Sequence, residues 1–291
     1  MKRSISLVLG SGGARGLAHI GVIQWLEENG FEIRSVSGSS MGALVGGFYA
    51  AGKLDAYTEW VKTVSKVDIL KLLDLSLRGD GLVKGERIIN TLKEFVGEWQ
   101  IETLPIAFTA VATDIALEKE VWINKGSLFD AIRASMSIPL FFTPYTIGGH
   151  TFVDGGILNP VPIAPTFQDR TDLTIAVNLD GASDPDLDGN TNTAQEGKRE
   201  SFWYEWVTRF LDDFQPAKTV KESMAWSYFD IASKSLDAMQ GTIARQKLAA
   251  YPPDYLVEIP RNACGMLEFD MAEEMIDLGR KKAQEQLSRM K

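Results

Sequence analysis

Apolar residues in this chain gather in short runs that alternate with amphipathic stretches, and the alternation begins at the start. Residues 5–9 read as a short buried strand that stops at a glycine-rich turn, Gly10-Ser11-Gly12-Gly13. Beyond it Ile20, Ile23, Trp25 and Leu26 fall on one side of a helix, which Asn29-Gly30 ends as a C-cap would. Residues 31–36 suit a second strand. Residues 41–51, small and apolar throughout, suit a buried helix packed on a sheet and closed by Gly52. Strand, helix, strand, helix within about fifty residues is the signature of βαβ units, and so of an α/β fold with a mostly parallel sheet.

The pattern continues with an amphipathic helix over 86–96, where Ile88, Ile89, Leu92, Phe95 and Val96 share a face. Strands are expected at 105–112 and 120–123, a helix at 128–136, and short strands at 151–153 and 173–177. Residues 183–200 are polar, acidic and nearly free of apolar side chains, which predicts a long surface loop without fixed structure. Phe202, Trp203, Trp206, Phe210 and Phe214 then recur at helical spacing, followed by a helical stretch over 217–249, a strand at 255–259 and a last helix at 271–290. The aromatic spacing suits a core or lid face better than a membrane anchor. No repeat and no Pro-, Gly- or Ser-rich linker divides the chain, so a single domain over 1–291 is the simpler organisation.

Composition narrows the partners. A formal net charge of -9 sets the chain against nucleic acid and against an anionic bilayer in bulk, although a local apolar patch leaves peripheral membrane contact open. The single cysteine, Cys264, permits no internal disulfide and suits a reducing compartment. Met1-Lys2-Arg3 carries the charges of a secretion signal, but the apolar run behind it is too short. No stretch approaches the roughly 18 apolar residues of a membrane span, so a cytoplasmic protein is expected.

Three segments could carry chemistry. Gly38-Ser39-Ser40-Met41-Gly42 is a G-x-S-x-G pattern lying between an expected strand and an expected helix. That is the setting of a nucleophile elbow: the sharp turn needs its glycines and lifts the serine hydroxyl onto a helix N-terminus. The loop Gly10 to Gly16 admits three readings. A dinucleotide fingerprint fails because Arg15 stands at its sixth position, and a phosphate loop fails for want of Gly-Lys-Ser/Thr. An anion-holding loop, such as an oxyanion hole, remains beside the plain tight turn. Asp154-Gly155-Gly156, after Thr151-Phe152-Val153, is first of all a turn signal. The only histidines are His19 and His150. A Ser-Asp-His triad in α/β-hydrolase order would therefore have to use His150, with an acid such as Asp114. His19, on the first helix, reads as a packing or surface residue.

Taken together, Gly12-Gly13-Ala14-Arg15-Gly16, Gly38 to Gly42 and Asp154-Gly155-Gly156 resemble the patatin-like phospholipase family, in particular its small bacterial members. The segment from Ala134 to Pro139 resembles the family's block before the aspartate, and the likeness covers roughly residues 5–180. One departure is Ser11, which stands where the usual triple-glycine form has its first glycine. The resemblance implies a three-layer α/β/α sandwich and a serine lipid acyl hydrolase without metal or cofactor. It implies Ser40 as nucleophile, Asp154 as its partner, Gly12 and Gly13 with Arg15 as the oxyanion loop, and Gly38 and Gly42 as the elbow glycines. Because a carboxylate is a weak base at neutral pH, Asp154 would supply modest general-base help and the oxyanion hole most of the rest. The substrate class implied is fatty acyl esters, among them lysophospholipids, and the apolar groove candidates are 69–77 and 202–214. Two other classes stay in view: a non-catalytic binding protein on the same fold, and a nucleotide-binding α/β protein, which the failed fingerprints disfavour.

Overall fold

A computed structural model describes residues 3–72, 74, 83–188 and 228–288. The aromatic segment 202–214, most of the polar loop after 188, the start of the 217–249 stretch and most of 73–77 lie outside the described residues.

The hydrophobic runs become strands β1 (Arg3–Leu9), β2 (Phe31–Ser39), β3 (Ala107–Asp114), β4 (Lys119–Ile123), β5 (Tyr145–Ile147), β6 (His150–Asp154), β7 (Leu173–Gly181) and β8 (Tyr255–Pro260). They form one sheet in the order β5-β6-β3-β2-β1-β7-β8, with β4 also on β3. The pairs from β3 through β2, β1 and β7 to β8 are parallel, and β4, β5 and β6 join antiparallel. The helices are α1 (Ala18–Glu28), α2 (Met41–Ala50), α3 (Leu54–Thr63), α4 (Lys66–Leu72), α5 (Glu86–Val96), α6 (Leu128–Ser135), α7 (Tyr228–Ala250) and α8 (Ala272–Leu287).

Strand alternation divides the core. Ile5, Leu7 and Leu9 of β1 join the main cluster with residues of α1, α2 and α8, whereas Val8 packs with Ala176, Val161, Ile163 and Ala244 of α7. Helices therefore cover both faces of the sheet, and the architecture is the expected three-layer α/β/α sandwich. α1 and α8 cross at a glycine contact: a Cβ on Gly21 would stand 1.9 Å from Ile276 C=O, and one on Gly279 2.0 Å from Ala18 C=O. Only hydrogen fits at either position.

Three elements go beyond what the sequence pattern announces. In α3, Leu54, Tyr57, Thr58 and Val61 are buried at helical spacing inside an otherwise polar stretch. α4 follows it directly, and β5 is only three residues long. Inside 183–200, Pro185–Asp188 forms a helical turn. β2 runs to Ser39 rather than ending at Val36, because Ser37-Gly38-Ser39 is central, buried backbone that needs no apolar side chain to be a strand.

Candidate active site

β3 changes partner halfway along one side, and that change builds the site. It pairs with β2 up to Ser39↔Val111 and then, at the next residue, with β6 through Ala112↔Asp154. Its other side is taken by β4 from Ala110 to Asp114. β2 and β6 thus approach end to end, and the residue after β2, Ser40, meets the last residue of β6, Asp154. The approach leaves no room for a side chain at the next position, since a Cβ on Gly155 would lie 2.0 Å from Val111 C=O and 2.7 Å from Ser39 Oγ.

Ser40 sits at the turn from β2 into α2 with φ 55° and ψ -122°, a backbone conformation that costs a non-glycine residue about 1–3 kcal/mol. Its surroundings hold it there. The Ser40 N–H donates to Ser135 Oγ at 2.9 Å, and that hydroxyl donates in turn to Val111 C=O at 2.6 Å. Ser40 C=O accepts from the N–H groups of Ala43 and Leu44. The elbow glycines are sterically required: a Cβ on Gly38 would fall 2.3 Å from Gly42 C=O, and one on Gly42 2.0 Å from Leu9 C=O. Ser135, buried on α6, is the contributor that residue-by-residue reading misses. It lies in the segment 134–139, whose family likeness is the available signal. Ser135→Ala is expected to destabilise the fold by about 1–3 kcal/mol, by orphaning buried backbone groups, and to lower turnover as the elbow relaxes. Denaturant midpoints and initial rates on an ester will check both.

Asp154 is 1% exposed. Its Oδ1 accepts the Gly156 N–H at 2.7 Å, the local turn that the Asp-Gly sequence announces. Its Oδ2 makes no hydrogen bond among the described residues. Burial pushes the Asp154 carboxyl up to about 7, against the opposing pull of the nearby Ser40 hydroxyl and the Gly156 N–H. Desolvation thus lifts this carboxyl above the usual carboxylate range, toward that of an imidazole.

The glycine loop faces the elbow from β1. Ser11 N–H is taken by Pro160 C=O and Ala14 N–H by Met266 C=O, both at 2.8 Å. Between them, the N–H groups of Gly12 and Gly13 have no backbone acceptor among the described residues. Gly13 has φ +57°, and a Cβ there would stand 2.5 Å from Met266 C=O. Arg15 Nη1 donates to Arg261 C=O at 2.6 Å, tying the loop to the end of β8. His19 is fully buried and its Nε2 meets Gly10 C=O at 2.8 Å. A carbonyl only accepts, so Nε2 carries the proton; burial holds the ring neutral by lowering its pKa to about 4. His19 is a buttress of the loop, the packing role read from the sequence.

His150 and Asp114 do come together, Nδ1 to Oδ2 at 2.7 Å. Yet His150 begins β6 and Asp154 ends it, four residues and so about 13 Å apart along the strand. The His150 side chain is also more than half exposed. The histidine triad is not assembled. Among the described residues, no group of three or more His, Cys, Asp or Glu is arranged to hold a metal ion.

The class is that of lipid acyl hydrolases: the chain belongs to the patatin-like phospholipase family, whose model matches residues 7–167, a range that includes Ser40 and Asp154. A protein of Mycobacterium tuberculosis described as an uncharacterized NTE family protein is 39% identical over 95% of this chain and 89% of its own length. The neuropathy target esterase sws of Drosophila melanogaster is 33% identical over 63% of this chain and 13% of its own. Among solved structures, VipD from Legionella pneumophila aligns at a TM-score of 0.48 and 15% identity, over 99% of this chain and 67% of that one. Among the described residues no helix is long and apolar enough to cross a membrane.

Proposed function

We propose that the chain is a serine esterase of the phospholipase type that works through a Ser40–Asp154 dyad and an acyl-enzyme. Asp154 accepts the proton as Ser40 Oγ attacks the acyl carbonyl and returns it to the alcohol, which leaves as the acyl-enzyme forms. The N–H groups of Gly12 and Gly13 hold the oxyanion, Arg15 anchors the loop that carries them, and Gly38 and Gly42 shape the elbow. Water then releases the fatty acid. The observation that carries this reading is the pairing of Ser39 and Asp154 with consecutive residues of β3, which sets a strained serine beside a buried carboxyl pushed up to about 7.

Fatty acyl esters, single-chain lysophospholipids among them, are the proposed substrates. An apolar cluster of Ile69, Val83, Phe141 and Phe142, with Ile138 and Leu267 packed on it, supports this. Ile138 follows Ser137, whose C=O accepts the Asp154 N–H, and Leu267 follows Met266, whose C=O accepts the Ala14 N–H. The cluster is thus flanked by both halves of the site, where an acyl chain needs apolar walls. Contact with lipid would be peripheral, through a local patch.

Hydrolysis of a medium-chain p-nitrophenyl ester and of a lysophospholipid by wild type, Ser40→Ala and His150→Ala tests the reading. Loss in the first variant with near-normal turnover in the second is expected; an inactive wild type, unlabelled at Ser40 by a fluorophosphonate, sinks it. The working form of Asp154 is the carboxylate. kcat/KM is therefore expected to rise with pH through about 7 and level off above it, and the limb is checked by a pH profile.

A further inference from the structure

Ser11 lies within the glycine loop, and the dyad mechanism gives it no task. Its backbone N–H is held by Pro160 C=O, while its Oγ is buried without a hydrogen-bond partner among the described residues. That hydroxyl lies against the aspartate turn. The point where a Cβ of Gly156 would stand is 2.5 Å from Ser11 Oγ and 2.9 Å from Asp154 Oδ1. The two oxygens are therefore within the reach of one bridging water. Asn159, one residue before Pro160, is 1% exposed, and neither its Nδ2 nor its Oδ1 has a partner among the described residues. Its own N–H is fixed on Gly155 C=O at 2.8 Å. Ser11 Oγ and the Asn159 carboxamide are thus both buried and unpaired among the described residues, on the segments that frame the candidate base. Folded proteins rarely leave buried hydroxyls and amides without a partner, and an ordered water serves where no protein group does.

We propose that the Ser11 hydroxyl and the Asn159 carboxamide orient the water that discharges the acyl-enzyme, holding it against Asp154. The inference rests on the acyl-enzyme reading. The water oxygen bonds to the acyl carbon while its proton passes to the Asp154 carboxylate. The bond from that carbon to Ser40 Oγ then breaks, Oγ takes the proton back from Asp154, and the fatty acid leaves. A water poised for this needs an acceptor for each hydrogen and a donor on its lone pair. Asp154 and Asn159 Oδ1 supply the acceptors and Ser11 Oγ–H the donor, which leaves the second lone pair free for the acyl carbon. Attack by Ser40 itself uses none of the Ser11 contact. Ser11 is accordingly a positioning residue for the second half of the reaction alone.

The test compares wild type with Ser11→Ala and Ser11→Gly, after circular dichroism has shown both to be folded. With a p-nitrophenyl ester, kcat is expected to fall about tenfold, the worth of one lost hydrogen bond, while kcat/KM stays unchanged. Acid-quenched steady-state samples should show a larger fraction of Ser40 acylated by mass spectrometry. Hydroxylamine, a stronger nucleophile that needs no such orientation, should restore product release. A parallel fall in kcat and kcat/KM, or no change in either, overturns the inference. A wild type that hydrolyses the ester yet never acylates Ser40 overturns the acyl-enzyme reading itself, and this inference with it.

Discussion

Asp154→Asn is expected to lose activity by about 10³–10⁴-fold and, above neutral pH, to be more stable than wild type. The two effects share one cause. The carboxyl is 1% exposed and burial raises its pKa from 3.8 to about 7. The native state therefore holds a proton that the unfolded chain releases between those values. Unfolding free energy falls as pH rises through that window, and the full cost of a buried charge is present once pH exceeds about 7. A rise of that size is equivalent to about 4 kcal/mol at most. Asparagine keeps an oxygen for the Gly156 N–H but carries no charge, so it escapes that cost and offers no base. Denaturant melts of both proteins at pH 4 and pH 8.5 check the thermodynamic half: the variant's advantage should be largest at the higher pH and small at the lower. Equal stability at both, or an active variant, would remove Asp154 from the base role.

The second large effect belongs to a residue far from the chemistry. Gly21→Val should destabilise the protein by about 3 kcal/mol or more and abolish activity at ordinary temperature. The obstacle is backbone, Ile276 C=O and Arg280 N–H of α8, which cannot rotate aside as a flexible side chain could. Separating α1 from α8 also displaces His19, two residues earlier, from the carbonyl of Gly10. Gly30 is the control. It has φ +82°, and a Cβ added there would meet nothing within 4 Å, so Gly30→Asn should cost less than about 1 kcal/mol. Thermal melts of the two variants side by side decide the matter; similar losses would show that glycine content rather than helix contact is being measured.

Much of this is readable from residue order, for reasons that differ by element. β1 and α2 announce themselves as unbroken runs of small or apolar residues, α1 and α5 by apolar residues at helical spacing, and their ends carry glycine or an asparagine. α3 hides because its buried face includes Thr58 and its neighbours are charged, so mean polarity masks a sound 3–4 spacing. The chemical segments are legible one at a time, and Asp154 shows why one at a time is insufficient. Its Asp-Gly sequence truthfully signals a turn, since Oδ1 accepts the Gly156 N–H, and the same turn leaves Oδ2 turned to other use. What local pattern does not convey is that β6 runs antiparallel and takes over the side of β3 that β2 vacates. That handover spans more than a hundred residues of sequence and depends on pairing, which no single segment encodes. The basicity of Asp154 is hidden for the same reason, being a property of what surrounds the carboxyl.

The loop that precedes α1 is bolted on both sides by the far end of the chain: Gly10 by Val177, Ala14 by Met266, Arg15 by the carbonyl of Arg261. α1 itself rests on α8. The stretch as far as Asp154 therefore carries the serine, the glycines and the aspartate, yet lacks the Val177, Met266 and Arg261 carbonyls that fix the loop. The residues proposed for the chemistry and the contacts that shape them thus come from opposite parts of the chain, and removing α8 would leave the first intact while taking away the support of α1.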